Sequence, residues 1–320
     1  MNSPVSYTTE EIAKLLKISK LTVYDLIKKG EIPSYRVGKQ MRVDASDLEA
    51  YKQRSKSQLL KHDPSPPPIS MMIPPHSLSG GSTQNSSTAV ITGQDISLDI
   101  LVKHLESQQT SIRPLRSYGG SLDSLISMYQ GKADIVSTHL WDGDSGEYNL
   151  PYIRKILNGF SYLVIRLLSR QAGLYVQTGN PYGLQGWKDL ALPGLRLANR
   201  EKGSGARILL DEQLRLHHID RTALLGYEDE STHHMAVAGK VASGEADVGI
   251  GIEKAASIVG SVQFIPLIQE QYDIVMLRTP ERQEWIDLIL QILHSDSFRR
   301  ELGAIQGYDL SETGKILLET

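Results

Sequence analysis

Three short turns in this sequence set glycine beside a polar side chain where an apolar run gives way to a helical pattern. They are Gly93-Gln94-Asp95, Gly119-Gly120-Ser121 and Gly203-Ser204-Gly205, and Ser231-Thr232 makes a fourth turn of the same placing. A helix N-terminus offers N–H groups without intrahelical partners and the positive end of the helix dipole, so such turns attract anions. Glycine lets the backbone approach a ligand closely, and hydroxyls add donors. Gly93, Gln94, Gly119, Gly120, Ser121, Gly203, Ser204, Gly205 and Thr232 are therefore candidate ligand contacts. Asn199, Arg200 and Arg207 flank the third turn. An arginine there could clamp a carboxylate or phosphate in a forked geometry, or brace the turn through a salt bridge. The Tyr272 hydroxyl could close a cleft, or the ring could pack in the core. Asp95 would repel an anion unless it points away or caps the helix, which favours a ligand carrying a donor.

Other residues invite chemistry that their spacing does not support. His217-His218 and His233-His234 are adjacent pairs, and neighbours in a helix do not face the same way. With no cysteine in the chain, neither a thiolate metal site nor a disulfide can form, and no metal or cofactor is expected. One of His233 or His234 could still touch a ligand. His139 and Asp142 stand at a strand end and could form an acid–base pair, but no positioned nucleophile accompanies them, so no catalytic residue is assigned.

A second set of groups sits at the other end of the chain, in YTTEEIAKLLKISKLTVYDLIKKGEIPSYRVGKQMRVDASDLEAYKQR, residues 7 to 54. Thr8 and Glu11 form a capping-box pattern ahead of the apolar stripe Ile12, Leu15 and Leu16. Ser19 can cap a second helix with a buried face of Val23, Leu26 and Ile27, and Gly30 is placed to stop it. Two short helices so joined can place the second in a DNA major groove. Tyr35-Arg36-Val37 and Met41-Arg42-Val43 read as two strands around Gly38-Lys39-Gln40, and a third helix is expected from Asp44. The candidate DNA contacts are Lys20, Thr22 and Tyr24 on the second helix and Arg36, Lys39 and Arg42 on the hairpin. This stretch resembles the winged helix-turn-helix of the excisionase and MerR-related families, and the partner so implied is double-stranded DNA.

Charge divides the chain in the same way. Of 34 Lys+Arg and 37 Asp+Glu, residues 1–62 hold twelve and seven, leaving 22 and 30 for the remainder. A basic head suits phosphate, and an acidic body suits another task. Residues 62–87 carry six of the fourteen prolines and a Ser/Gly/Asn cluster, and no charge occurs from Pro64 to Gln94. That composition predicts a linker. The expected domains are thus 1–61, a linker 62–87, and 88–320. No apolar run approaches the roughly 20 residues needed to span a bilayer, and no signal-peptide pattern opens the sequence, so a cytoplasmic, membrane-free protein is expected.

The body alternates strand, turn and helix, the pattern of an α/β fold with parallel strands. Ala89–Ile91, Ile112–Tyr118 and Ala133–Val136 read as strands of one unit, and Gly194–Ala198 and Ala246–Gly251 as strands of another. Extended segments at Tyr162–Val176 and Tyr272–Leu277 could pass between them, and C-terminal helices over Glu284–Leu293 and Phe298–Ile305 would return to the first. Four stretches, SYGGSLDSLISMYQGKADIVSTHLWD, NREKGSGAR, THHMAVAGKVASGEADVGIG and GYDLSETG, resemble the two-lobed type II periplasmic-binding-protein fold, and more narrowly the binding-protein-like domains found behind helix-turn-helix heads. Functional relatives in that wider family bind molybdate, so the resemblance implies a small-molecule effector of the molybdate or tungstate type, or another small ligand. The expected function is a ligand-responsive transcription regulator acting as a homodimer. The alternatives are an enzyme carried on a DNA-targeting head, and a binding module that tethers a partner protein.

Overall fold

The capping box forms: the Thr8 N–H donates to Glu11 Oε2 at 2.8 Å and the Glu11 N–H donates to Thr8 Oγ1 at 3.3 Å. In the computed structural model, which describes residues 6–16, 19–28, 32–37, 40–49, 51–52, 87–108 and 112–320, this box joins strand β1 (Ser6–Thr8) to helix α1 (Thr9–Leu16). Helix α2 (Lys20–Lys28) starts at Ser19, whose hydroxyl accepts from the Thr22 N–H at 3.1 Å. Strands β2 (Tyr35–Val37) and β3 (Gln40–Asp44) form an antiparallel hairpin with Val37 opposite Gln40, and β1 pairs on the other edge of β3. The sequence reading missed β1, and it placed Gln40 in the turn and Asp44 in a helix. Both belong to β3, and helix α3 follows over 45–49 and 51–52. Ile12, Val23, Ile32, Val43 and Leu48 form the buried core of this head, while Leu15, expected on the buried stripe, is half exposed. Gly30, Lys39 and residues 53–86, which include nearly all of the proposed linker, lie outside the described residues.

The chain divides into two units, Met1–Gly80 and Gly81–Thr320. In the second, β4 (Ser87–Thr92), α4 (Ser97–Ser107), β5 (Ile112–Ser117), α5 (Ser121–Tyr129), β6 (Ile135–Thr138) and α6 (Leu150–Ile156) build the first lobe. Strand β4 lies between β5 and β6 and is parallel to both. Strand β7 (Tyr162–Gln177) then leaves for the second lobe, made of β8 (Leu197–Arg200), α7 (Gly205–Leu216), β9 (Glu230–Ser231), α8 (His234–Ala242), β10 (Val248–Ile252) and α9 (Glu253–Val259). Strand β11 (Val262–Leu277) returns antiparallel to β7 along its whole length. The end of β11 pairs with β6 of the first lobe, and the end of β7 pairs with β10 of the second, so the two 16-residue strands tie the lobes together. Helices α10 (Gln283–His294) and α11 (Asp296–Gly303) do return to the first lobe, where Trp285, Ile289 and Phe298 share a core with Leu98, Leu101 and Leu105 of α4. Two short strands, β12 (Tyr308–Asp309) and β13 (Ile316–Glu319), finish on β7.

The paired strands were legible as apolar runs, but β11 begins ten residues before the Tyr272 start expected for it. Its first half is ragged in burial, which hides the period of a strand. The ladder shifts register between Pro266 and Ile268 and again between Tyr272 and Asp273, bracketing the crossing between lobes. At the first irregularity, where Gly173 stands opposite Pro266, the backbones are so close that a Cβ on Gly173 would lie 1.9 Å from the Ile265 carbonyl oxygen. A strand glycine marking close backbone approach is the expected solution.

Candidate functional site: a cleft between the lobes

The crossing strands carry charge into the interior. Arg170 of β7 and Glu270 of β11 stand opposite each other in the ladder, both buried, with Arg170 Nε 2.6 Å from Glu270 Oε1. On its other side Arg170 Nη1 donates to Asp95 Oδ2 at 2.5 Å. Asp95 also accepts from the Ser97 N–H at 2.8 Å, which caps α4, and from the Tyr308 hydroxyl of β12 at 2.7 Å. Asp95 is thus both turned onto an arginine and used as a helix cap, so it does not oppose an anion. Burial works to raise the Glu270 carboxyl, yet Arg170 and then His139 outweigh it and hold it at about 2. The Asp95 carboxyl is likewise held below its usual range, Arg170 overcoming burial. His139 Nδ1 lies 2.9 Å from Glu270 Oε2, an ion-pair distance without hydrogen-bond alignment. His139 therefore faces Glu270 and does not pair with Asp142, whose carboxylate instead accepts from the Ser145 N–H and hydroxyl at 3.0 and 2.6 Å.

Above this charged floor the predicted turns meet. Gly93, Gln94, Gly119, Gly120 and Ser121 from the first lobe and Ser204 and Gly205 from the second line one small pocket, with Tyr272, Ser137 and His139. Its volume is about 10 Å³, room for one water molecule. Gly93 has φ +148°, and a side chain there would strike Ser137 Oγ, 2.0 Å from the Cβ position. The Tyr272 hydroxyl bonds Ser137 Oγ at 2.7 Å, and burial pushes it up, with the nearby Asp95 acting in the same direction. The lobes touch around this pocket. The Leu122 N–H donates to the Gly203 carbonyl at 3.0 Å, Arg200 Nη2 donates to Gln94 Oε1 at 2.6 Å, and Gln94 Nε2 donates to Glu201 Oε1 at 3.0 Å.

A larger chamber of about 240 Å³ opens beside it and shares Gln94, His139 and Tyr272. Asp95, Arg170, His233, His234 and Lys254 complete its polar wall, and Ile96, Met235, Ile252, Ala255 and Ile258 its apolar one. His233 caps α8, its Nδ1 accepting from the Ala236 N–H at 3.0 Å. His234 Nδ1 is buried with no hydrogen-bond partner. Burial first, then Arg200 and Arg170, hold the His234 imidazole well below its usual value, so it is neutral at neutral pH.

Matches to known proteins fall on the same two units. A helix-turn-helix domain model matches residues 6–56, and the PBP superfamily domain model matches residues 102–294. The chain belongs to the PBP superfamily domain family. It is 51% identical over 322 residues to the "Uncharacterized protein YvgK" of Bacillus subtilis (strain 168), covering 100% of both chains. Among solved structures, the putative L-cystine ABC transporter from Listeria monocytogenes shares the fold at a TM-score of 0.51 and 15% identity, over 71% of this chain and 99% of that one. The tungstate ABC transporter from Geobacter sulfurreducens does so at a TM-score of 0.50 and 11% identity, over 68% and 98%. The winged helix-turn-helix head and the two-lobed type II binding-protein fold expected from the sequence are both present. The domains are a helix-turn-helix domain and a PBP domain, neither a catalytic family. Among the described residues no helix is long and apolar enough to cross a membrane, and no group of three potential metal ligands gathers.

The remaining predicted ligand residues of the body do not reach the cavities. Arg207 braces the turn: it is buried, its Nη1 donates to the Arg200 carbonyl at 3.1 Å, its Nε meets Asp211 at 3.2 Å, and its guanidinium lies 4.1 Å over the Tyr227 ring. Asn199 Nδ2 donates to the Tyr227 carbonyl at 2.9 Å. Arg200 is committed to Gln94, Glu201 and the Ser231 and Thr232 carbonyls, and Gly203 and Thr232 contribute backbone oxygens to contacts around the cleft. Sequence reasoning missed Arg170, Glu270, Lys254 and Tyr308. The signal for the first was a pair of arginines, Arg166 and Arg170, inside a largely apolar run.

In the head, Thr22 and Tyr24 of α2 and Arg36 of β2 are exposed, the Thr22 hydroxyl lying 2.8 Å from Ser19 Oγ. Exposed Lys20 pairs with Glu10 of α1, and Arg42 is half-buried with Nη1 3.2 Å from Ser6 Oγ.

Two outcomes follow. Arg170→Met leaves two buried carboxylates without their shared cation and should cost about 3–5 kcal/mol in urea unfolding of the full chain; a loss under about 1 kcal/mol would show the floor to be differently charged. His234 binds its proton less readily in the folded than in the unfolded chain, so acidification through pH ~6.5 must weaken folding. The unfolding free energy of the wild type should fall by about 1 kcal/mol more than that of His234→Asn between pH 6.5 and 5.5. Parallel pH profiles would refute that assignment.

Proposed function

We propose that this chain is a ligand-responsive DNA-binding transcription regulator, in which the head binds double-stranded DNA and the body senses a small anion between its lobes. The observation that carries the reading is the convergence of glycine and hydroxyl turns from both lobes on one pocket beside the N-termini of α5 and α7. Donors of that kind satisfy a desolvated anion without needing a full countercharge. Molybdate and tungstate are the oxyanions the sequence resemblance brings to this site. A pocket with room for one water in touching lobes would have to widen for a tetrahedral anion, so binding and lobe movement are one event in this reading. The regulator acts as a homodimer, because one short helix-turn-helix supplies few contacts to DNA. By linkage, ligand and DNA then alter each other's affinity by the same factor.

On the DNA side, Lys20, Thr22, Tyr24, Arg36, Lys39 and Arg42 form the contact set, with Lys20 exchanging an exposed, weak pair with Glu10 for phosphate. Arg36→Ala should weaken binding to duplex DNA and reduce the slope of log affinity against log salt by about 1; an unchanged slope would take Arg36 out of the interface. On the sensor side, thermal unfolding of the full chain should shift upward with a bound anion, by about 2.7 kcal/mol at 100 times its dissociation constant. Molybdate, tungstate and sulfate are the first probes. If neither these nor any organic anion moves the transition, the body is not an anion sensor.

A further inference from the structure

The glycine pocket accounts for only a small part of the cleft. Beside its roughly 10 Å³ lies a chamber of about 240 Å³, and a bare oxyanion would leave that chamber to water. The walls of the chamber are not those of an aqueous vestibule. Ile96, Met235 and Ile258, at 47%, 47% and 59% exposure, are among the most exposed large apolar side chains of the body, and all three line this one space. They come from both lobes: Ile96 from the turn before α4, Met235 from α8 and Ile258 from α9. Exposed apolar side chains scattered singly need no explanation, but gathered around a concave space with a few convergent polar groups they mark a ligand site.

The polar wall sets the charge of the occupant. Asp95 and Glu270 are occupied by Arg170, Tyr308 and His139, so neither carboxylate is available to a ligand cation. Lys254 is the lining cation that makes no direct ion pair among the described residues; its Nζ lies 3.5 Å from the Tyr308 hydroxyl and over the face of that ring, and Asp95, already bound by Arg170, acts on it only at longer range. His234 Nδ1 is a buried polar atom with no partner. A cation without a directly paired counterion and an unsatisfied nitrogen are what an incoming polar anion would complete, since buried polar groups are normally paired.

We infer that the effector is an organic anion, a carboxylate or similar head on an apolar body, its head met by Lys254 and His234 and its body seated against Ile96, Met235 and Ile258. This rests on the reading of the cleft as an anion sensor and narrows the class of anion.

A homologous series of carboxylates, acetate, butanoate, hexanoate and octanoate, tests it by thermal unfolding of the full chain, with molybdate and sulfate alongside. Affinity is expected to rise roughly fourfold for each methylene added until the chamber is filled. Met235→Gln and Ile258→Gln alter exposed positions that the fold does not need, and each should lower the affinity for hexanoate several-fold while leaving that for acetate unchanged. Carboxylate affinities independent of chain length would overturn the inference. So would stabilisation by molybdate with none by any carboxylate, an outcome that keeps the anion sensor. No response to any anion would remove both.

Discussion

One guanidinium holds the body together as a two-lobed device. Arg170 sits where the strands cross, fully desolvated, between a carboxylate on its ladder partner and a carboxylate at the start of α4. Such a buried cluster is a poor source of net stability, since desolvating three charges offsets most of their attraction. Its effect is geometric. Asp95 is fixed by Arg170, so the first turn of α4 is fixed, and with it Gln94, which reaches across to Arg200 and Glu201 of the other lobe. Glu270 is fixed by the same arginine and faces His139, at the end of β6 on the wall of both cavities. The floor of the site and the hinge of the lobes are therefore one structure.

The strands that carry this cluster explain why it can be both rigid and permissive. Pairing along β7 and β11 is continuous, yet the register slips on either side of the crossing. Bulges leave residues unpaired and bend the strand, and they cluster near active sites for that reason. At the centre of the bracketed stretch Gln269, Glu270 and Gln271 face Gln171, Arg170 and Ser169, with Arg170 on Glu270, and just past it Arg166 holds Asp273 and Gln271. Further out the same strands are mainly apolar and enter the cores of the two lobes. The crossing thus has hydrogen bonds to hold its path, with Ala172 and Ile268 packed beside Trp141 and Leu209 at one end and Leu168 and Tyr272 in the first lobe's core at the other.

Much of this was readable in advance, and the division between what was and was not is physical. Period and punctuation are local, so the capped helices of the head, the strand–turn–helix units and the glycine turns could be taken from adjacent residues. Gly93, Gly120, Ser121, Ser204 and Gly205 meet because each ends a strand on the same edge of its lobe, and that follows from topology once the fold is known. The Arg170 cluster is different. Its members are separated by 75 residues in one direction and 100 in the other, and no spacing rule links them. Arg207 shows the opposite error: an arginine beside a glycine turn reads as an anion clamp, and only the tertiary partners Asp211 and Tyr227 reveal it as a brace. The chamber was invisible for a third reason, since Ile96, Met235 and Ile258 look like ordinary apolar positions until burial is known.

What joins the lobes in their touching state is modest. The contacts around the small pocket are hydrogen bonds among Gln94, Arg200 and Glu201 and one from Leu122 to Gly203, with a second set where Gly143 and Asp144 meet Glu212 and Arg215. Each such bond contributes only about 0.5–1.5 kcal/mol net, because water replaces it when broken, and exposed pairs such as Arg215 with Asp144 contribute less. Apolar contact adds to them: Trp141 and Tyr148 of the first lobe share a cluster with Leu209 of α7, and Ile208 of the same helix packs against the first lobe's core. The balance between touching and parted lobes therefore rests on these few hydrogen bonds and that one apolar contact around α7. A ligand can move that balance only through contacts it makes in one state and not in the other. A molecule seated against Ile96 of one lobe and Met235 and Ile258 of the other has all of those contacts only when the lobes are together, which makes the apolar wall, like the glycine turns that also come from both lobes, a part of the cleft that can couple occupancy to shape.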